Sequence, residues 1–133
     1  MKSLLLLFFI SLYAYGNDTT LKITIGTYTF KATLLENETT KAFKAILPLS
    51  LAMSELNGNE KYFNFSNNLP THPSKVGTIH AGDLMLWEGN SFVLFYQTFS
   101  TSYAYTRLGH IEDTTYLQQA ITKGNVMVRL ALE

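Results

Sequence analysis

The sequence contains no cysteine among its 133 residues. It therefore has no disulfide framework and no thiolate ligand for a structural zinc ion. The length is enough for one domain, and a domain of this size can bury roughly two-thirds of the surface that its unfolded chain exposes. We therefore expect the hydrophobic core alone to stabilise the fold.

Charge is also scarce, and neither sign dominates. Ten lysines and arginines balance ten aspartates and glutamates, with no basic run and no acidic tail. A nucleic-acid partner requires several clustered basic side chains that neutralise phosphates, and an anionic membrane surface requires a similar basic patch. We therefore expect neither nucleic acid nor an anionic membrane surface as a partner.

Residues that bind metals or perform nucleophilic catalysis are few. The three histidines, His72, His80 and His110, do not have the spacing of paired histidines in metal sites. The sequence has no Gly-x-Ser-x-Gly motif and no glycine-rich loop that could hold a phosphate. We therefore expect no metal ion and no cofactor.

The one long apolar run, residues 4–12, lies at the N-terminus after Lys2. A small-x-small sequence at residues 14–16 follows it, which is the pattern of a signal-peptide cleavage site. The run has about half of the roughly 20 residues that a membrane span needs. We therefore predict a Sec-type signal peptide over residues 1–16 and a mature domain over residues 17–133, with an uncleaved N-terminal anchor as the alternative.

The predicted signal also bears on the location of the protein. An exported chain without cysteine fits a bacterial envelope better than an animal extracellular space. We expect a periplasmic or secreted protein with no stable membrane insertion after signal cleavage. Nothing in the sequence indicates an oligomeric state.

Polar and apolar residues alternate at both ends of the mature chain, which is the pattern of half-buried strands. Residues 20–26 and 28–35 predict an antiparallel hairpin, and residues 125–132 predict a closing strand. Two short helices interrupt the strands. Asn37 is a suitable N-cap for a helix that ends at Pro48, and Asp113 is a suitable cap for a second helix after it.

The stretch from residue 77 to residue 109 is the richest in aromatic and β-branched residues. Apolar runs at residues 83–87 and 92–99 are joined by the turn sequence Glu-Gly-Asn-Ser, and residues 103–108 form a third run. We interpret these three runs as a single meander. With about eight strands and two short helices, the whole mature chain predicts a small, mainly antiparallel β-barrel.

Arg107 is the most informative charged residue in this stretch. It shares one face of an alternating strand with Tyr103 and Tyr105. Guanidinium donors beside aromatic walls are typical of a recognition cleft. The alternative is an exterior strand face on which Arg107 forms an ion pair, with Glu60 or Asp83 as the partner.

A polar segment at residues 57–62 offers amides, a carboxylate, an ammonium group and a phenol within six residues. Its Asn-Gly pair is a strong turn signal. The segment fits a polar rim around a ligand, and it equally fits a hairpin whose side chains bond to their own backbone.

Three long motifs are similar to those of a known family. They read MSELNGNEKY at residues 53–62, GTIHAGDLML at residues 77–86 and FSTSYAYTRLG at residues 99–109. On these motifs the chain resembles the bacterial cyclophilin-like domain family from about Leu21 to its C-terminus. The resemblance implies a closed antiparallel eight-stranded barrel with helical caps, in a family without a settled activity.

The resemblance does not imply prolyl isomerase activity. True cyclophilins place a catalytic arginine in a Phe-x-Arg context, and no Phe-x-Arg occurs here. We therefore expect a non-enzymatic module that binds an extended peptide or a small ligand. The alternatives are an envelope prolyl isomerase with Arg107 as its catalytic donor, and a scaffold that binds another protein.

The candidate ligand-binding residues combine the polar turn with the aromatic strand face. They are Met53, Asn57, Asn59, Glu60, Tyr62, Tyr96, Tyr105 and Arg107.

Overall fold

The computed structural model describes residues 19–121 and 123–133, so the predicted signal peptide lies outside the described residues. Eleven strands and two helices occur in this part of the chain. In order they are β1 (Thr20–Ile25), β2 (Tyr28–Leu34), α1 (Glu38–Ala45), β3 (Leu49–Leu56), β4 (Glu60–Asn64), β5 (Ser74–Lys75), β6 (Thr78–Ile79), β7 (Asp83–Trp87), β8 (Ser91–Phe95), β9 (Phe99–Ser100), β10 (Ala104–Ile111), α2 (Leu117–Ala120) and β11 (Val126–Leu132).

Eight antiparallel strands of the described chain form a closed barrel. Their order is β2-β1-β11-β3-β4-β8-β7-β10, and β10 then pairs with β2. The closing pairs join Gly109, His110 and Ile111 of β10 to β2. The short strand β5 adds to the other end of β10. The predicted eight-stranded antiparallel barrel with two short helices is confirmed.

The prediction of a single meander over the central stretch is wrong. Strands β7 and β8 form the expected hairpin, but β10 pairs with β7 and not with β8. The reason is that the second edge of β8 is already paired with β4 along the whole length of that strand. The only edge left to β10 is therefore that of β7.

The interior of the barrel is filled by one side of each strand. Leu84 and Leu86 of β7 belong to the same buried cluster as Phe92 and Leu94 of β8. Helix α1 adds Phe43, which is fully buried and stacks on Phe92 with ring centroids 5.4 Å apart. The alternation in the sequence therefore places these residues as expected for strands.

The helix caps match the sequence in one case only. The side chain of Asn37 accepts a hydrogen bond from the Thr40 backbone N–H, so the predicted N-cap of α1 is confirmed. Asp113 does not cap α2, because its carboxylate accepts hydrogen bonds from the backbone N–H and hydroxyl of Thr115. This local turn delays the start of α2 to Leu117, since Asp side chains readily bond to backbone two residues ahead.

A second buried cluster lies on the opposite, outward side of the same strands. Met85 of β7, Val93 and Phe95 of β8 and Tyr105 of β10 pack together there with Ile79. Ile79 belongs to β6, which pairs with β9 to form a small two-stranded sheet. This outer cluster is a well-packed apolar layer on the outer face of the barrel.

The seam between β10 and β2 depends on a residue without a side chain. A Cβ atom on Gly109 would overlap the backbone oxygen of Thr33 and lie 3.0 Å from the Cα atom of Leu34. We expect Gly109→Ala to lower the free energy of unfolding by about 1–3 kcal/mol, the usual cost of overpacking. Urea unfolding of the two proteins measures this difference.

Gly26→Ala is the control for this substitution. Gly26 also lies next to β2, but a Cβ atom there would meet nothing within 4 Å, so only its positive φ of 60° would cause strain. A loss of stability in Gly109→Ala no larger than that in the control would contradict the close-packed seam.

Candidate functional site

A groove lies on the outer face of the barrel, across β4, β8 and β7. It has a volume of about 280 Å³. Its lining comes from the turn between β3 and β4, from these three strands and from the start of β10. The lining residues are Leu56, Asn57, Glu60, Tyr62, Asn64, Trp87, Ser91, Val93, Tyr103 and Tyr105.

The rim of the groove is the turn between β3 and β4. Asn57 and Gly58 both have positive φ angles, 58° and 69°, as the central residues of a type I′ turn require. The Glu55 carboxylate accepts a hydrogen bond of 2.7 Å from the Gly58 backbone N–H. The predicted Asn-Gly turn is therefore present, and it exposes Asn57 at the edge of the groove.

Strand β4 supplies the acidic group of the groove. Its alternation directs Glu60 and Tyr62 to the groove and the intervening Lys61 to the opposite side. Glu60 is only 7% exposed, and its carboxylate has no hydrogen bond or ion pair with the described residues. Burial, and to a smaller extent the negative charge of Glu55, raises the pKa of Glu60 above its ordinary value.

Aromatic rings form the walls. The ring of Trp87 lies 5.3 Å from that of Tyr103 and 5.2 Å from that of Tyr105, measured between centroids. Tyr105 in turn meets Phe95 of the outer cluster edge-on at 5.5 Å. Burial, followed by the charge of Glu60 and by Tyr103, raises the pKa of Tyr105 to about 12. The groove therefore combines one acidic group with several aromatic rings along its length.

A second depression, which we call the adjoining pocket, shares Trp87 and Tyr105 with the groove. It has a volume of about 450 Å³ and lies beneath the segment of residues 68–73. This segment is held by hydrogen bonds from the Leu69 N–H to the Gly89 carbonyl and from the His72 N–H to the Thr106 hydroxyl. The segment between β4 and β5 is therefore attached to the barrel beside the groove.

On the inner side of β4, Lys61 forms a buried polar network. Its side chain is fully buried, and its Nζ atom lies 3.0 Å from a Glu55 carboxylate oxygen and 2.6 Å from the Gly124 carbonyl. The Tyr96 hydroxyl donates a 2.6 Å hydrogen bond to the same carboxylate. This network links β3, β4 and the residue after β8, and thereby fixes the hairpin that carries Glu60.

The pKa values of this network follow from its contacts. Burial raises the pKa of the Glu55 carboxyl, but hydrogen bonds from Tyr96 and Lys61 outweigh burial and leave that pKa below its ordinary value. Burial and the hydrogen bond to Glu55 raise the pKa of Tyr96 to about 12. The network is therefore most stable with an ionised Glu55 and a neutral Tyr96.

The structure gathers part of the predicted ligand-binding set around the groove. Asn57, Glu60, Tyr62 and Tyr105 all line it. Met53 is fully buried in the barrel interior and contributes no surface to the groove.

Asn59 and Tyr96 also lie elsewhere. The Asn59 carbonyl accepts the Tyr96 backbone N–H, and its side-chain oxygen is buried without a hydrogen-bond partner among the described residues. Tyr96 borders a different depression together with Glu55 and Gln118. Both residues therefore support the turn and the inner network.

Arg107 lies on the strand that carries Tyr105 but outside both depressions. Its side chain is exposed, and the guanidinium donates a 3.4 Å hydrogen bond to the Val76 carbonyl. Among the described residues it forms no ion pair with Glu60 or Asp83. Asp83 instead accepts the His80 backbone N–H at 2.9 Å, which is a turn contact.

Sequence reasoning did not select Trp87 and Tyr103 as lining residues. Trp87 is the last residue of β7 and lies on the same side of the strand as Met85. Period-two alternation could therefore have placed Trp87 on the outer face. Tyr103 precedes β10, and only the pairing of that strand with β7 brings it next to Trp87.

The described residues contain no group of three or more histidine, aspartate or glutamate side chains that could hold a metal ion. No helix in residues 19–121 or 123–133 is long and apolar enough to cross a membrane.

A closed antiparallel barrel with two helices is the fold class that the sequence motifs implied. The model of the cyclophilin-like family matches residues 23–131, and the chain belongs to this family. The solution structure of a hypothetical protein from Archaeoglobus fulgidus is similar, with a TM-score of 0.63 and 17% sequence identity over 88% of this chain and 96% of that chain. At this identity the likeness shows a shared fold. No curated protein sequence matches the chain.

The two raised tyrosine pKa values predict a loss of stability at alkaline pH. Tyrosines of the unfolded chain ionise near pH 10, whereas Tyr96 and Tyr105 stay neutral in the folded protein until about pH 12. The unfolded state therefore releases protons first, so the stabilising contribution is complete below pH 10 and is lost as the pH rises to about 12.

Ultraviolet absorbance of tyrosinate in the native protein measures this behaviour. We expect a late phase that Tyr96→Phe and Tyr105→Phe each reduce by one phenol, and we expect no late phase in urea-unfolded protein as the control. A native protein in which neither substitution changes the late phase would show that these two hydroxyls are not protected.

Proposed function

We propose that this protein is a non-enzymatic binding module of the bacterial envelope, and that its groove binds an extended peptide or a small molecule. The observation that supports this proposal best is the groove itself. It combines a buried carboxylate that has no hydrogen-bond partner among the described residues with aromatic walls on a packed strand surface. Sites that bind small ligands have this composition, with mostly apolar walls and a few convergent polar groups.

The adjoining pocket favours an extended occupant. It and the groove meet at Trp87 and Tyr105, so a chain that crosses these two rings can place one group on each side. Alternate side chains of an extended peptide point in opposite directions at a rise of roughly 3.3 Å per residue. Cavities of about 280 and 450 Å³ each have room for one side chain.

Prolyl isomerase activity is the alternative function. The position of Arg107 gives isomerase activity little support, because the guanidinium donates a hydrogen bond to the Val76 carbonyl and does not line the groove. The observation in its favour is that Arg107 lies two residues from Tyr105, on the same strand. Catalysis would require a donor within reach of the prolyl nitrogen.

A titration of the isotope-labelled domain, residues 17–133, with Xaa-Pro and Xaa-Ala peptides tests the proposal. We expect amide chemical shifts to change around the groove with both peptide series, and exchange spectroscopy to show no catalysed cis/trans exchange. Catalysed exchange that Arg107→Lys abolishes would establish the isomerase, because lysine lacks the planar donor pair of arginine. The absence of shifts at the groove would contradict a peptide site.

Two exposed tyrosines offer a matched pair of variants. Tyr103 is 61% exposed in the groove wall, whereas Tyr116 is 57% exposed and stacks on Tyr28 outside the groove. We expect Tyr103→Ala to weaken peptide binding by roughly three- to tenfold, since an aromatic contact is lost. Tyr116→Ala should bind as the unsubstituted protein does, and equal effects of the two substitutions would place the site elsewhere.

The envelope location has a separate test. We expect the full chain, expressed in a bacterial host, to be recovered outside the cytoplasm with an N-terminus near Asn17, because residues 1–16 have the pattern of a Sec signal. Mass spectrometry of the intact protein gives the cleavage site. Recovery of the uncleaved chain in the membrane fraction would instead support an N-terminal anchor.

A further inference from the structure

Glu60 is a nearly buried acidic residue that forms no ion pair with the described residues. It is only 7% exposed, and none of the described residues donates a hydrogen bond to its carboxylate. The adjacent Lys61 does not neutralise it, because the Lys61 side chain points to the other side of β4 and lies 3.0 Å from Glu55. A buried carboxylate is costly unless a partner satisfies it, and the groove is the open side from which a partner can arrive.

The aromatic rings that line the groove together with Glu60 indicate what kind of partner fits. Tyr62, Trp87, Tyr103 and Tyr105 line the same groove. The faces of such rings carry partial negative charge and attract organic cations, most strongly when water is excluded. A metal ion would need several oxygen ligands, whereas Glu60 is the only carboxylate among the described residues that line this groove.

The size and the polar groups of the groove indicate which kind of organic cation fits. A volume of about 280 Å³ suits a short alkyl chain that ends in a charged group. Asn57 lines the groove in the turn that precedes Glu60, and its amide oxygen can accept a hydrogen bond, whereas Asn64 lies at the other end of β4, where its amide oxygen accepts from the Ser91 hydroxyl. An ammonium group has three protons to donate, so it can bond to the carboxylate and to the amide oxygen in the turn.

We propose that the groove recognises an alkylammonium group, and that the Glu60 carboxylate accepts its hydrogen bond while the aromatic walls enclose its alkyl stem. This inference rests on the proposed function, because it assumes that the groove is the binding site. The raised pKa of Glu60 is consistent with it, since a bound cation would favour the ionised carboxylate and lower that pKa again.

Two pairs of probes test the charge and its source. Ac-Ala-Lys-Ala-NH₂ is compared with the same peptide carrying norleucine, and n-butylammonium is compared with n-butanol. Each pair has nearly the same shape and differs in one positive charge. Dissociation constants come from amide shifts of the labelled domain, residues 17–133, at fixed ionic strength.

Glu60→Gln removes the charge and keeps the shape, and Glu36→Gln is its control. Glu36 is an exposed carboxylate between β2 and α1, away from the groove. We expect the charged probe to bind at least about tenfold more tightly than its neutral analogue, and Glu60→Gln to lose this preference. Glu36→Gln should keep it. Glu60→Gln should also be at least as stable to urea as the unsubstituted protein.

The outcomes separate this inference from the proposed function. If only the lysine peptide binds, the cation comes from a peptide; if n-butylammonium binds as tightly, a free amine is sufficient, and both results support the inference. Equal binding of charged and neutral probes at the groove would overturn the inference and leave the binding function intact. If no probe shifts the groove amides, both fail. A large loss of stability in Glu60→Gln would show a structural partner for Glu60 and overturn the inference.

Discussion

Pairing of β10 with β2 is the constraint on which the rest of this structure depends. It joins the two ends of the sheet, so the residues on one side of every strand enclose a single interior core. The two strands approach so closely at Gly109 that a side chain there would overlap the backbone of β2. Closure also determines the outer face, because the residues that do not enter the core must pack outside or remain in water.

The outer face would be ordinary surface if the chain did not cover part of it. Met85, Val93 and Phe95 point outward, and the β6–β9 sheet buries them together with Tyr105. This cluster supports the rings of Trp87 and Tyr105 from below. The groove therefore has a packed floor, which reduces the rearrangement that a ligand would have to induce.

Strand β4 divides its charges between two environments. The Lys61 side chain lies in the interior, where it pairs with Glu55, and Tyr96 donates a hydrogen bond to the same carboxylate. Glu60 faces the groove without a partner among the described residues. Two adjacent residues of opposite charge can form an ion pair only where their side chains approach each other. The strand geometry prevents this, because successive side chains point to opposite faces. The negative charge of the groove is thus a direct consequence of the alternation.

Much of the fold could be predicted from local sequence patterns. The hairpin of β1 and β2, the Asn37 cap and the Asn57 turn each depend on neighbouring residues, which is why local rules identified them. The partner of β10 could not be predicted, because an apolar strand fits either neighbour and only the pairing of β4 with β8 decides between them.

The site was predictable in part for the same reason. The polar segment at residues 57–62 indicated Glu60 and Tyr62, and alternation on β10 indicated Tyr105, but Tyr103 reaches Trp87 only through long-range pairing. The burial of Lys61 is equally a tertiary effect, since lysine is almost never fully buried unless paired.

The most direct test of a cation site at the groove is to measure the pKa of Glu60 by NMR of its carboxyl carbon. The measurement is made in the free domain and again with n-butylammonium chloride. Both samples contain the same protein, so Glu55, whose charge acts on Glu60, and the tyrosines of the groove are present in both. We expect the pKa of Glu60 to lie above its ordinary value in the free protein, and to fall when n-butylammonium is added but not when sodium chloride is added at equal ionic strength. A Glu60 pKa that responds equally to both salts would contradict a cation site at the groove.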